Sequence, residues 1–301
     1  MHQSGHDGQF FSSSSPPDGI GLRGAPRHSP TVKRRHLSRA LRELRETRGH
    51  TADWVTKRLE WSTGKLSGIE NNKWKRPNPR DIRDLCELYE TDQETCDTLM
   101  QLARDSRKRG WWEDYNDVYG SIYIGFEQEA RRMRVYQPLV IPGLLQTPAY
   151  MRELMRAALI RGSEVERRVE IRLQRQKALS HEDPLRVWAV IDEGALRRPF
   201  GSTKDQREQL ARLIETEDSD SVTVQILPFS KGLHAGHGAS FVILDYQEDP
   251  SLVYIEVGAR TLYVESEEDL DYYDERFQHL QATALSPAES IRFLHDMSAL
   301  L

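Results

Sequence analysis

Cysteine is nearly absent, with Cys86 and Cys96 the two in 301 residues. Two are too few for a disulfide framework and lack a second pair for zinc, so both read as buried packing residues on successive helices. Long apolar runs are missing as well. Runs such as Val187-Trp188-Ala189-Val190-Ile191 fall far short of the roughly 20 residues that cross a bilayer, which excludes a transmembrane helix and a membrane partner. Residues 1–30 hold no stretch like a secretory h-region, since Phe10-Phe11 runs into four serines and two prolines; a cytoplasmic protein is expected. Catalytic motifs are missing too. There is no Gly-x-Ser-x-Gly elbow, no His-Glu-x-x-His and no cysteine in a nucleophile setting, so no enzyme is expected.

What is present is enough for real cores: 38% hydrophobic and 30% charged residues over a length that makes roughly two domains. The net charge of −5 hides an uneven distribution. Residues 32–80 carry 14 Lys and Arg against 5 Asp and Glu, hence +9, whereas residues 81–301 carry 26 against 40, hence −14. A compact basic segment on an acidic chain points to a polyanion partner for that segment alone, against the plainer reading of a solvated helix face.

Residues 1–30, rich in Ser, Gly, Pro and His, read as a disordered tail. Residues 31–108 then read as five short helices. Leu37, Ala40, Leu41 and Leu44 mark the first; Thr51 caps a second with Val55 and Leu59; Ser62 caps a third with Leu66 and Ile69. Asn78-Pro79 opens a fourth, and a fifth lies around Leu99 and Leu102. From residue 109 to 301 an α+β domain is expected. Helices are predicted through Phe126-Val135, Pro148-Arg161 and Ser163-Leu179, followed by strands at Leu185-Ile191, Val222-Leu227, Ala239-Tyr246, Leu252-Val257 and Arg260-Val264. Two helices, Glu267-Ala284 and Ser286-Leu300, close the chain. The fold class expected is mainly α with an α+β part, the sheet mainly antiparallel.

The second and third helices, joined at about Glu60-Trp61, have the spacing of a helix-turn-helix. Leu66 and Ile69 would face the core, leaving Thr63, Gly64, Lys65, Ser67 and Gly68 toward double-stranded DNA, with Asn71, Asn72 and Lys73 at the trailing edge. Arg34, Arg35 and Arg39 before or on the first helix, Thr51 at the second, and Lys73, Lys75 and Arg76 after the third complete the expected DNA-binding set. In this reading Lys65 serves specific binding and Arg35 contacts phosphate on any sequence.

Thr51 to Glu70, with Leu66-Ser67-Gly68-Ile69-Glu70 followed by Asn71 and Pro77, resembles the lambda-repressor/Cro-like (Xre) helix-turn-helix family, whose recognition helix ends in a Ser-x-Ile-Glu signature. The resemblance implies a structural role for Glu70 and DNA-facing positions at Ser67 and Gly68. That family commonly has Gly where this chain has Glu60, and Arg where it has Gly68. An Arg fork on guanine is worth about 1–3 kcal/mol of discrimination.

Trp111-Trp112-Glu113-Asp114-Tyr115, Phe126-Glu127-Gln128-Glu129-Ala130, Pro142-Gly143-Leu144-Leu145-Gln146-Thr147-Pro148-Ala149-Tyr150 and Ala284-Leu285-Ser286-Pro287-Ala288-Glu289-Ser290 resemble signatures of actinobacterial WhiJ-like regulators. These pair an Xre-type head with a C-terminal domain of undefined biochemistry, and are often encoded beside a small protein in an antitoxin-like arrangement. The resemblance implies a nucleoid-associated transcriptional regulator. It would bind a palindromic operator as a homodimer, with half-sites roughly 34 Å apart, and use its C-terminal domain for dimerisation and partner or signal input. The alternative is an antitoxin-like protein that sequesters a small co-encoded partner. A third reading places a small-molecule pocket among Trp111, Trp112, Tyr115 and Tyr123.

No cofactor and no metal are expected. Gly232-Leu233-His234-Ala235-Gly236-His237-Gly238 lacks a following Gly-Lys-Ser/Thr and leads into a strand, so it reads as a connection rather than a phosphate loop. His234 and His237 lack a converging third ligand in the sequence. The carboxylates between Glu265 and Glu275 read as a solvated helix face, as a docking surface for a basic partner, or as an intramolecular mimic that competes with DNA for the basic segment.

Overall fold

Capping chemistry sets where the N-terminal helices begin. In the computed structural model, which describes residues 29–74, 76–115, 121–160, 162–258 and 260–301, α1 (Pro30–Thr47) starts on a proline. Side chains of Thr51, Ser62, Asn78 and Asp92 accept backbone N–H bonds at the starts of α2 (Ala52–Arg58), α3 (Thr63–Glu70), α4 (Pro79–Leu88) and α5 (Gln93–Asp105). All five helices fall where the periodicity placed them. Residues 1–28 of the expected tail, and Lys75, lie outside the described residues.

The apolar stripes of these helices close one core around Leu37, Leu41, Val55, Leu66, Ile69, Ile82, Leu85, Tyr89 and Leu99. Cys86 belongs to it, and burial with the neighbouring Cys96 pushes its thiol up to about 12. Cys96 is only half-buried at the edge of that core, not fully buried as the sequence suggested.

The C-terminal region runs α6 (Ser121–Glu129), β1 (Arg132–Gln137), α7 (Pro148–Ala157), α8 (Ser163–Gln176), β2 (Arg186–Asp192), α9 (Glu193–Arg197), α10 (Thr203–Ile214), β3 (Val222–Leu227), β4 (Phe241–Asp245), β5 (Leu252–Val257), β6 (Arg260–Val264), α11 (Glu267–Thr283) and α12 (Pro287–Ala299). The strands form one sheet in the order β3-β2-β1-β4-β5-β6. The pairs β1–β2 and β2–β3 are parallel, and the other three are antiparallel, so the sheet is mixed with an antiparallel majority.

The helix expected through Phe126-Val135 stops at Glu129, and Arg132–Gln137 is instead the strand on which both halves of the sheet are built. Arg132-Met133-Arg134-Val135 fits either period. Tertiary partners decide: Arg132 and Arg134, two apart on one face, both donate to Asp245 across the β1–β4 pair, at 2.7 Å and at 3.0–3.1 Å.

Alternation then sorts the sheet into two faces. Met133, Val135, Val187, Ala189, Val224, Ile226, Val242 and Leu244 pack with residues of α7, α10 and α12, while Tyr136, Val190, Phe241, Ile243 and Val253 pack beneath Phe277 and Leu280 of α11. The Ala284-to-Ser290 signature is structural here. Ser286 and Glu289 form a capping box, and the buried Ser290 hydroxyl accepts the Ile226 N–H at 2.9 Å, pinning α12 to β3.

α1 belongs to both cores. Its C-terminal half carries Leu37 and Leu41 into the N-terminal core, and its N-terminal half inserts Val32 into the core of the sheet. It crosses α6 at Gly125, where an added Cβ would lie 2.3 Å from the Thr31 hydroxyl, so only glycine admits the contact.

Beside that crossing, the buried Glu127 carboxylate accepts Nε and NH2 of the buried Arg175 at 2.7 Å each, and the Tyr123 hydroxyl at 2.9 Å. Removing one partner of such a pair strands the other charge away from water. Glu127→Gln should therefore cost about 3–5 kcal/mol in denaturant unfolding. The double change Glu127→Gln with Arg175→Met should cost less than the sum of the single changes. Additive losses would show that the two groups do not act as a pair.

Candidate nucleic-acid interface

The turn between α2 and α3 is tight because Glu60 adopts a left-handed conformation, φ +54°. That geometry favours glycine, the residue common at this position in the family the sequence resembles. From the turn, α3 buries Leu66 and Ile69 and exposes Thr63, Gly64, Ser67 and Asn71, with Gly68 half-exposed between them. Around Gly64 and Gly68 the space a side chain would occupy is open. The outward face of α3 is therefore smooth, polar and short, a surface that can approach a groove closely.

Several predicted contact residues hold this unit together instead. Glu70 accepts a two-pronged bond from Arg45, at 2.7 and 3.0 Å, which matches the structural role implied for it and ties α3 to α1. Arg34 donates to Asn72 at 3.0 Å, and Trp74 Nε1 donates to Ser38 at 3.0 Å, so α1 fastens the segment after α3 at two points. Asn72 itself is left-handed, φ +53°, a conformation asparagine tolerates well. Lys65 pairs with Asp81 at 2.8 Å and lies 3.7 Å over the Trp61 ring, so it braces α3 against α4. Thr51 is used as the α2 cap, and Asn71 donates back to Ser67 at 2.8 and 3.2 Å. Lys73 and Arg76 are exposed beside α3.

Arg35 and Arg39 are placed elsewhere. Arg35 is 4% exposed and donates to the carbonyls of Pro250 and Ser251 at 3.1 and 3.2 Å, with Glu265 at 3.1 Å. Arg39 pairs with Asp249 at 3.2 Å, and His36 lies 3.4 Å from the same carboxylate. Both arginines are engaged at the β4–β5 turn; the buried Arg35 does not present its guanidinium to a phosphate in this arrangement, while Arg39 stays half-exposed. Composition counted the charge of Arg35 correctly, but helical phase turned it inward. Burial pushes the Asp249 carboxyl up, and His36, Arg35 and Arg39 outweigh it, holding the group below its usual range. One member of the acidic stretch, Glu265, thus does meet the basic segment, through Arg35. Asp274, another, reaches Arg134 on β1.

Sequence reasoning passed over Trp54, which stands 41% exposed at the start of α2 and stacks on His50 at 4.0 Å, 13° from parallel. It also passed over Arg58 and Arg80, both exposed. A tryptophan on an otherwise polar helix face was the available signal.

The segment 142–150 is an internal clasp. The Tyr150 hydroxyl accepts the Ile141 N–H at 3.1 Å, and Gln209 of α10 bonds both Thr147 N–H and Leu145 carbonyl. The glycine-rich segment packs Gly236 against the Tyr136 ring, where an added Cβ would come within 2.4 Å. His234 lies 3.5 Å from Asp192, and among the described residues no group of three or more His, Cys, Asp or Glu is placed to hold a metal. Trp112 is buried with Ile124 and Ile171.

A family model described as a domain of unknown function, DUF5753, matches residues 121–296, more than half of the chain. The chain belongs to the DUF5753 family. A second model, described as a helix-turn-helix domain, matches residues 36–99, the stretch that contains α2, α3 and their braces. This supports a DNA-binding regulator in which the DUF5753 region follows the helix-turn-helix. No curated protein matches the chain. Among the described residues no helix is long and apolar enough to cross a membrane.

Two outcomes follow from the seat of α1 in the DUF5753 region. Arg35→Ala should lower unfolding stability by about 2 kcal/mol, because the bonds from its buried guanidinium to the carbonyls of Pro250 and Ser251 are lost; an unchanged denaturation midpoint would refute the buried placement. Asp249 has a depressed folded-state pKa, so its contribution is present above the unfolded value near 3.9 and is lost as pH falls through the folded value. The melting-temperature gap between the native protein and Asp249→Asn should be open at about pH 5 and close as the pH falls below about 4.

Proposed function

We propose that this protein is a transcriptional regulator that reads a palindromic operator as a homodimer and catalyses no reaction of its own. The observation that carries this is the outward face of α3. Thr63, Gly64, Ser67, Gly68 and Asn71 stand opposite the buried Leu66 and Ile69 within a helix-turn-helix domain. Thr63, Ser67 and Asn71 supply short donors and acceptors for base edges, and Lys73, Arg76, Arg58 and Arg80 supply exposed positive charge for phosphates.

In this reading residues 31–108 are the DNA-binding domain and 109–301 the regulatory domain, with dimerisation and partner or signal input assigned to the latter. The protein would act in the cytoplasm on nucleoid DNA. With no Arg at position 68, its discrimination rests on short polar contacts and on the fit of a smooth helix to the groove.

The test is selection of genomic fragments by the full-length protein, followed by anisotropy titration of the best fragment across salt concentrations. A shared palindrome is expected, with log K falling against log salt at a slope of about −7 for two heads of about four phosphate contacts each. Gly68→Arg has room for its side chain and should fold at least as well as the native chain, since glycine is a poor helix residue by about 1 kcal/mol. It should also shift the selected motif toward guanine at one position per half-site. No enriched motif from a folded dimer would sink the proposal, and tight capture of a small co-encoded protein would replace it with the antitoxin-like alternative.

A further inference from the structure

Between α8 and the sheet lies a cavity of about 110 Å³. A cross-strand row makes its floor: Val135 on β1, Val242 beside it on β4 and Tyr254 beside that on β5, with Met133 adjacent. Ile141, Pro142 and Leu154 add apolar surface.

Polar groups converge on this floor from α8 and the clasp segment, and Gln137 adds one from β1 itself. Arg172 and Arg175 stand one helical turn apart on α8, and Gln146 joins them from the clasp segment. All three are already oriented. Arg175 is held from behind by Glu127, which is not part of the lining; Arg172 donates to the Gln146 side-chain oxygen; and the Gln146 amide donates to the Ile141 carbonyl at 2.6 Å. The lining carries one carboxylate, Glu256, which is exposed.

We propose that this cavity is a binding site for a short-chain carboxylate of about two to four carbons. A cavity of about 150 Å³ holds the six carbons of benzene, so this smaller one takes about four to six non-hydrogen atoms, the two carboxylate oxygens included. Guanidinium groups only donate and an ionised carboxylate only accepts, so the head of such a molecule complements Arg172 and Arg175 while its hydrocarbon tail covers Val135, Val242 and Tyr254. Donors fixed in advance beside apolar side chains are the usual makings of a small-molecule site.

The site also touches both supports of α1. Tyr254 packs on Tyr123 of α6 at 4.2 Å, and α6 crosses α1 at Gly125. The β4–β5 turn that carries Val242 and Tyr254 on its flanks supplies the carbonyls that hold Arg35. An occupant is therefore in contact with the elements that seat the helix-turn-helix, although binding itself does not depend on the DNA-binding reading.

The test uses the full-length protein without DNA, so its failure is distinct from a failure of that reading. The probes are acetate, propanoate and butanoate, with butanamide as the uncharged isostere. At about 10 mM at least one acid should raise the melting temperature by about 2 °C, and the amide should bind at least about tenfold more weakly by calorimetry. Val242→Phe fills the cavity and should abolish the shift. Arg172→Gln, on a half-buried position, should weaken the acid at least about tenfold and leave the amide unchanged. No shift with any acid, equal binding of acid and amide, or acid binding that survives both variants would overturn the site.

Discussion

Everything in this molecule hangs on a single helix that is shared between two cores. α1 brings Leu37 and Leu41 to the helix-turn-helix and Val32 to the sheet, and the guanidinium of Arg35 is buried where the two regions meet. A buried cation persists only when its donors are satisfied, and here two backbone carbonyls and Glu265 do so. The position of α3 relative to the sheet is then set by rigid packing along α1, with Arg45 gripping Glu70 at one end and Arg35 gripping the β4–β5 turn at the other. A disturbance of that turn has a continuous mechanical route to the DNA-facing helix.

The same geometry shows why so much of the head was legible in the sequence and why the orientation of its charges was not. Caps are local chemistry, so Thr51, Ser62 and Asn78 announced their helices correctly. Whether an arginine on α1 faces phosphate or protein depends on what packs against that helix from 215 residues away, and no window of sequence contains both. The partners of Lys65 were equally out of view, since Asp81 and Trp61 are brought to it by the turns on either side. Of the predicted interface, Thr63, Gly64, Ser67, Gly68, Asn71, Lys73 and Arg76 remain on the surface.

In the sheet region, strands with β-branched runs between breakers were legible, and β1 was not. Met133 and Val135 carry the apolar pattern, but Phe126, Ala130 and Met133 satisfy a helical period just as well, and only Asp245 on a distant strand resolves the choice. The family signatures turned out to be joints rather than surface features. Glu127 lies in a buried ion pair, Gln146 bonds the clasp, and Ser290 bonds the backbone of β3. A residue pattern kept for joints says where the chain must fold, and leaves open what the finished shape holds.

The open space around Gly64 and Gly68 has a consequence for how such a protein diverges. On most helices of a small domain a new side chain meets a neighbour, and recognition cannot change without disturbing the fold. Here two positions of the groove-facing surface accept a side chain with nothing in its way, and neither contributes to the buried stripe. A single codon change at either site can therefore remodel the outward face of α3, while the helix that joins it to the sheet stays as it is.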